Sequence, residues 1–199
     1  MKILVVGGAS GTIGKTVAKR LALKHEVITA GRNSGDIHVD IADSASIRKM
    51  YERTSGLDAV VCCSGAAKWA AFEDLTEDDF YVGLKSKLMG QVNLVRIGLE
   101  FLHPGSSFTL TSGILAEDPV YKSTNSAMVN GALHSFVKAV SQELKDGFRL
   151  NVVAPGLVED SSDRSDAFPG HRLVPMVEVA AAYVRSVEGL RSGEVIRVY

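Results

Sequence analysis

Apolar runs of strand length recur along the chain at residues 3–6, 26–30, 59–63, 107–111, 150–154 and 194–198, with stretches of helical period between them. Residues 14–23 carry Val17 and Leu21 on one face, and residues 77–101 carry Leu84, Leu88, Val92, Val95 and Leu99. Residues 125–144 and 177–187 complete the helical set. Apolar positions repeating every three or four residues mark one face of a helix, whereas a short continuous apolar run suits a strand covered on both sides. Strands and helices in alternation predict βαβ units, hence an α/β fold with a doubly wound parallel sheet. No linker interrupts the pattern, so residues 1–199 are read as a single domain.

Composition narrows the function classes. With 199 residues, 46% hydrophobic and 23% charged, the chain is long enough to bury a substantial core. Lys+Arg number 22 against Asp+Glu 23, a net charge of −1. Nucleic acid is therefore not the expected partner, because proteins that bind it carry a basic excess. The first apolar run meets glycine after residue 6, too early for a secretory signal or a membrane span, so a cytoplasmic protein without membrane contact is expected. Cys62 and Cys63 are adjacent, which rules out an ordinary disulfide between them, and they lack metal-ligand spacing. They read as two small residues at a buried strand end, and no metal site is expected.

The first chemical signal is Gly7-Gly8-Ala9-Ser10-Gly11-Thr12-Ile13-Gly14, placed between a strand and a helix. Gly8 is expected to make the tight turn, Gly11 to admit a pyrophosphate close to the backbone, and Gly14 to let helix and strand pack. Ser10, Thr12 and Ile13 complete the loop that faces the anion at the helix N-terminus. This is the arrangement of a Rossmann-type dinucleotide site. At the end of the second strand an NAD-selective site normally offers a carboxylate to the ribose 2′-hydroxyl, whereas an arginine suits a 2′-phosphate. Arg32 stands there and Asp36 is too far along, which favours NADP over NAD; the alternative use of Arg32 is as a solvated loop cation. Asp40 is expected to close the third strand, with Ile41, at the adenine edge.

From these residues the chain resembles the short-chain dehydrogenase/reductase family over nearly its whole length. The glycine spacing is similar to the family's T-G-x-x-G-x-x-G, with Gly7 in place of Thr. Cys62-Cys63-Ser64-Gly65 falls where the family has N-N-A-G, and Asn151-Val152-Val153-Ala154-Pro155-Gly156 resembles N-x-V-x-P-G. The resemblance implies that Ser64, Gly65, Pro155 and Gly156 border the cofactor, the last two at the nicotinamide. It also implies hydride exchange between the nicotinamide and a carbonyl or alcohol carbon, with a Tyr, a Lys four residues on, a Ser and an Asn managing the proton.

Ser112 matches the family serine. Anchoring the fifth helix on Ala132-Leu133 puts Ser126 at the tyrosine position and Asn130 at the lysine position; a register one residue earlier gives Asn125 and Val129. Neither restores the pair. A tyrosine titrates near ~10 and a neighbouring cation can pull it towards working pH, whereas a serine hydroxyl is a much weaker acid. Lys87-Leu88-Met89-Gly90 resembles the family's N-[LV]-x-G, so Lys87 occupies the asparagine position and could return a positive charge beside Ser112; otherwise it belongs to a solvated patch with Lys85. Tyr121 could swing in as a donor or serve as a rim aromatic, and His134 is expected at a surface or an interface.

Ala127, Gly131, Ser135 and Ala139 form a small-residue ridge suited to close helix packing within the chain or against another copy. The family commonly pairs its fourth and fifth helices about a two-fold axis, which implies a homodimer or tetramer. Beyond Gly156 the segment is short and polar, with Asp160 where a Thr often touches the cofactor and with Arg164, His171 and Arg172 available to an anionic substrate or to solvent. Two functions fit: an NADP-dependent oxidoreductase acting on a small-molecule substrate through an altered proton-transfer site, or a catalytically silent NADP-binding sensor.

Overall fold

A computed structural model describes all 199 residues. Seven strands, β1 (Lys2–Val6), β2 (Glu26–Gly31), β3 (Ile37–His38), β4 (Ala59–Cys62), β5 (Ser107–Thr111), β6 (Arg149–Pro155) and β7 (Val195–Val198), form one sheet in the order β3-β2-β1-β4-β5-β6-β7. Every neighbouring pair is parallel. The helices are α1 (Thr12–Leu21), α2 (Ser44–Glu52), α3 (Glu77–Gly83), α4 (Gly90–Gly98), α5 (Thr124–Val140) and α6 (Met176–Glu188).

Strand side chains alternate between the two faces, and both faces are buried. Leu4, Val6, Val60, Cys62, Phe108 and Leu110 join Met50 and Tyr51 of α2, Leu94 and Ile97 of α4, and Leu133 and Val137 of α5 in one core. Ile3, Val5, Ala59, Val61 and Val153 join Val17 and Leu21 of α1 and Val179, Tyr183 and Val187 of α6 in the other. This two-sided burial is why the strands read as continuous apolar runs. The strand order reverses between β1 and β4, which opens a crevice at the carboxyl ends of the strands. No helix is long and apolar enough to cross a membrane.

Three elements depart from the sequence pattern. Helix α2 follows the N-cap Asp43, whose side chain accepts from the Ala45 N–H, and presents only Ile47, Met50 and Tyr51 to the core. The third strand ends at His38, and Asp40 lies in the turn beyond it, accepting from the Ala42 N–H. The long helix expected over 77–101 is broken by a π-helical stretch, Leu84–Met89, between α3 and α4. An inserted wide turn of this kind shifts the phase of the helix and re-aims one side chain. The side chain it carries towards the crevice is Lys87.

Candidate active site

The chain leaves β1 through Gly7, whose φ of +83° makes it the residue of the tight turn, one position before Gly8. Gly8 instead makes room for Val5, whose Cγ1 would lie 2.9 Å from an added Cβ. At Gly14 a Cβ would overlap the Gly7 carbonyl oxygen, so α1 can lie against the loop only because that position is glycine. Gly11 caps α1 without a side-chain hydrogen bond, and the first turn, beginning Thr12-Ile13, holds no acidic residue. The outward N–H groups and the positive end of the helix are thus left for an anion.

A cleft of about 580 Å³ lies over the ends of β1, β2 and β4, bordered by Arg32, Asp40, Ile41, Ser64 and Gly65. Arg32 is largely exposed and stands 3.9 Å from Asp40. Ser10 Oγ lies 2.7 Å from Ser34 Oγ beside it. Asp36 is turned away: its Oδ2 accepts from the Thr29 N–H and the Thr29 hydroxyl, both at 2.8 Å, and these bonds hold its carboxyl below the usual range.

Sharing Gly65 with that cleft is a second compartment of about 390 Å³, lined by Ile13, Lys87, Ser112, Ser126, Asn130, Pro155 and Gly156. All four catalytic candidates therefore face one space. Gly65, with φ of +142°, lies so close to the π-helical turn that a Cβ would stand 2.9 Å from the Lys87 Cα. Lys87 Nζ donates to the Ser112 carbonyl at 3.4 Å and forms no ion pair, and burial pulls its ammonium below the ordinary lysine value. Gln91, one turn on and fully buried, donates to the Thr111 carbonyl at 2.9 Å and to the Lys87 carbonyl at 3.1 Å, and accepts from the Thr111 N–H at 2.8 Å. It thereby ties the lysine turn to the end of β5.

The two registers of α5 are distinguishable in the structure. Asn125 donates to the Asp79 and Phe80 carbonyls and accepts from the Lys68 N–H, which fixes α5 against α3. Val129 is wholly in the core. Ser126 and Asn130 line the compartment, and the Asn130 Oδ1, buried, has no hydrogen-bond partner. An orphaned buried acceptor is costly unless a ligand or water meets it.

His134, expected at a surface or an interface, is buried with its Nε2 2.7 Å from the Ser112 Oγ. Its Nδ1 faces Glu117 Oε1 at 3.6 Å. Glu117 is held in turn by the Arg197 guanidinium and by the Tyr199 hydroxyl at 2.7 Å, and these partners bring its carboxyl down to about 2. Burial lowers the His134 pKa, Glu117 opposes that, and Arg197 and Lys138 add to it. Tyr121 stands outside the compartment, 72% exposed, with the Lys122 ammonium over its ring.

Residues 8–188 match the protein family described as enoyl-(acyl carrier protein) reductase. The structure superposes on a protein from Listeria innocua, lin1944, with a TM-score of 0.97 and 45% identity over all of both chains. It also superposes on a small-chain dehydrogenase crystallised with NADPH, with a TM-score of 0.87 and 26% identity over 100% of this chain and 96% of that one. Among sequences, the oxidoreductase YmfI of Bacillus subtilis is 24% identical over 91% of this chain and 89% of its own. The chain belongs to the short-chain dehydrogenase/reductase family.

In this short-chain dehydrogenase/reductase the compartment is also lined by aromatic residues that sequence reasoning did not assign to it. Trp69 stacks on Phe168 at 6.0 Å, and both line the mouth of the compartment above Ser112. Arg172 is engaged with Glu178 at 2.9 Å and His171 with Asp118 at 3.5 Å, whereas Arg164 lines the compartment itself. Asp160 pairs with Lys15 at 3.6 Å, which ties this segment to α1. Cys62 and Cys63 are both pushed up to about 12 by burial, so neither is a reactive thiol. The ridge on α5 faces outward: Ser135 and Ala139 are exposed, and nothing lies within 4 Å of a Cβ built at Gly131. Gln91 was hidden because its partners are tertiary, and His134, on the helical row of 126 and 130, was read as a surface or interface residue in preference to a catalyst for the same reason.

Proposed function

We propose that this protein is an NADP-dependent oxidoreductase that interconverts a carbonyl and an alcohol through a site in which the Tyr-Lys pair has been replaced. The observation that carries the reading is the convergence of Lys87, Ser112, Ser126 and Asn130 on one compartment joined to a glycine-lined anion cradle. Gly8, Ser10, Gly11, Thr12, Ile13 and Gly14 would hold the pyrophosphate. Arg32, beside Ser10 and Ser34, would take the 2′-phosphate, with Asp40 and Ile41 at the adenine and Ser64, Gly65, Pro155 and Gly156 along the nicotinamide half. The orphaned Asn130 Oδ1 supports a ligand in this position. When bound, the nicotinamide supplies or accepts the hydride; the protein's part is to polarise the substrate oxygen and manage one proton. Ser112 is the hydroxyl nearest that task, and Lys87 supplies positive charge from a desolvated position, where it acts more strongly than in water. Residues 1–199 act as one cofactor-binding domain, and the open ridge on α5 supports a homo-oligomer.

The test is oxidation of NADPH against a panel of aldehydes and ketones, with NADPH and NADH affinities measured in parallel. Turnover with a preference for NADPH is expected. A silent NADP-binding sensor is the second reading, favoured by the absence of any phenol lining the compartment; it predicts tight NADPH binding with no turnover on any substrate.

A further inference from the structure

Ser112, His134 and Glu117 lie in line from the floor of the compartment to the protein surface. The Ser112 hydroxyl has a close partner in the His134 Nε2 at 2.7 Å, while its other acceptor, the Val153 carbonyl, lies at 3.5 Å. On the far side of the ring, Nδ1 faces a carboxylate that Arg197 and Tyr199 clamp in place. The charged groups around the ring are Glu117 from the turn after β5, Arg197 from β7 and Lys138 from α5, with Lys87 on the opposite side of Ser112 at its carbonyl. An anion beside Nδ1 favours the imidazole proton on that nitrogen, which would leave the Nε2 lone pair to receive the serine hydroxyl.

We propose that His134 is the proton reservoir of the reaction, working through the Ser112 hydroxyl, with Glu117 setting its tautomer. This rests on the oxidoreductase reading above. In the reductive direction the carbonyl carbon gains the hydride and its two electrons, and the carbonyl oxygen takes the proton of Ser112 Oγ–H. Oγ in turn takes the Nε2 proton of the imidazolium, leaving a neutral ring with its Nδ1–H towards Glu117. One hydride and one proton enter the substrate, and Nε2 loses one proton, which returns to it through the Ser112 hydroxyl from water that enters the compartment once the product has left. Alcohol oxidation runs the same transfers in reverse, with neutral His134 as the acceptor. The tyrosine absent from position 126 therefore needs no phenolic substitute, because the proton reaches the substrate from behind Ser112.

The first experiment needs no cofactor. Histidine-¹⁵N labelling of the full chain and a pH titration of the ring nitrogens should show the Nδ1–H tautomer at neutral pH and protonation below the ordinary histidine value. In Glu117→Gln the tautomer preference should weaken and protonation should move lower still. A ring found as Nε2–H, donating to Ser112, overturns the relay whatever the enzyme does.

The second experiment is kinetic. For the wild type, reductive kcat should fall as pH rises through the His134 transition, and oxidative kcat should rise through it. His134→Gln should lose roughly 100-fold in kcat together with that pH limb, while KM and NADPH affinity hold. Should His134→Gln fail to fold, Glu117→Gln, which keeps the ring, must still displace the limb to lower pH. Full activity and an unchanged limb in either folded variant overturn the relay and leave the oxidoreductase reading intact. Absence of turnover by the wild type overturns both.

Discussion

Replacing Arg32 with Gln should weaken NADPH binding and leave NADH binding alone. A charge-assisted hydrogen bond from a guanidinium to a phosphate contributes about 1.5–3 kcal/mol. Against this stands the Arg32–Asp40 pair, which must loosen for Arg32 to turn towards the ligand. At 3.9 Å, with the arginine side chain 71% exposed, that pair contributes only ~0–1 kcal/mol. The difference, about 0.5–3 kcal/mol, corresponds to roughly a 2- to 140-fold loss of NADPH affinity, at about 1.4 kcal/mol per factor of ten. NADH cannot recover the loss through Asp36, whose Oδ2 is already occupied by the Thr29 N–H and hydroxyl. The assay is a fluorescence titration of both reduced cofactors at low and high salt; the gap should narrow with salt because the site is open to solvent. Asp40→Asn should move the other way and tighten NADPH slightly. Equal weakening of both cofactors by Arg32→Gln, or no change in either, refutes a 2′-phosphate site at this position.

Lys87→Met should lower turnover by about 100-fold, as expected when a preorganised charge is taken from a reaction site. It should also flatten stability against pH: the folded pKa of Lys87 is depressed, so wild-type stability rises with pH across the interval up to the unfolded lysine value, and the variant loses that rise. Unchanged turnover and cofactor affinity would return Lys87 to the solvated surface. Gln91→Met strips partners from the Thr111 N–H and carbonyl, both buried, and should cost about 2–4 kcal/mol of unfolding free energy in urea; a loss below about 1 kcal/mol would mean that β5 finds other partners. Glu117, with its carboxyl held at about 2, contributes stability that is complete above the unfolded glutamate value and disappears as pH falls through about 2. Glu117→Gln should therefore be less stable than wild type at neutral pH, and thermal melts of the two should converge towards pH 2; a constant gap at every pH would show that the ion pair with Arg197 does not set it.

What could be read from the sequence was local. Strands buried on both faces announce themselves as unbroken apolar runs, and the glycine loop has a fixed spacing because Gly8, Gly11 and Gly14 answer contacts with Val5 and Gly7 in the same stretch of chain. Helix α2 escaped notice because only Ile47, Met50 and Tyr51 of its nine residues face the core. The break at Leu84–Met89 is flanked by two glycines, and an added Cβ would meet the Asn125 side chain at Gly83 and the Ile41 carbonyl at Gly90, neighbours that no local pattern announces. His134 meets Ser112 across 22 positions and Arg197 meets Glu117 across 80, separations that no periodicity encodes. The compartment was therefore legible from its local residues, but the series of contacts from Ser112 through His134 to Glu117 was not.

The two basic groups beside Ser112 have different surroundings, and that difference separates their roles. Lys87 is brought to the serine carbonyl by a π-helical turn and by the close approach of Gly65, and no carboxylate pairs with it. It is a half-buried charge with one backbone acceptor, placed to polarise an oxygen in the compartment. His134 meets the serine hydroxyl from the other side and is backed by a clamped carboxylate near the surface. Burial lowers its pKa and Glu117 opposes that shift. With a tyrosine and a lysine on one helix face, a single pair does both jobs. On the reading proposed above they are divided between the Lys87 turn and α5, which meet at Ser112, so removing Lys87 should lower the rate at every pH, whereas removing His134 should change how the rate depends on pH.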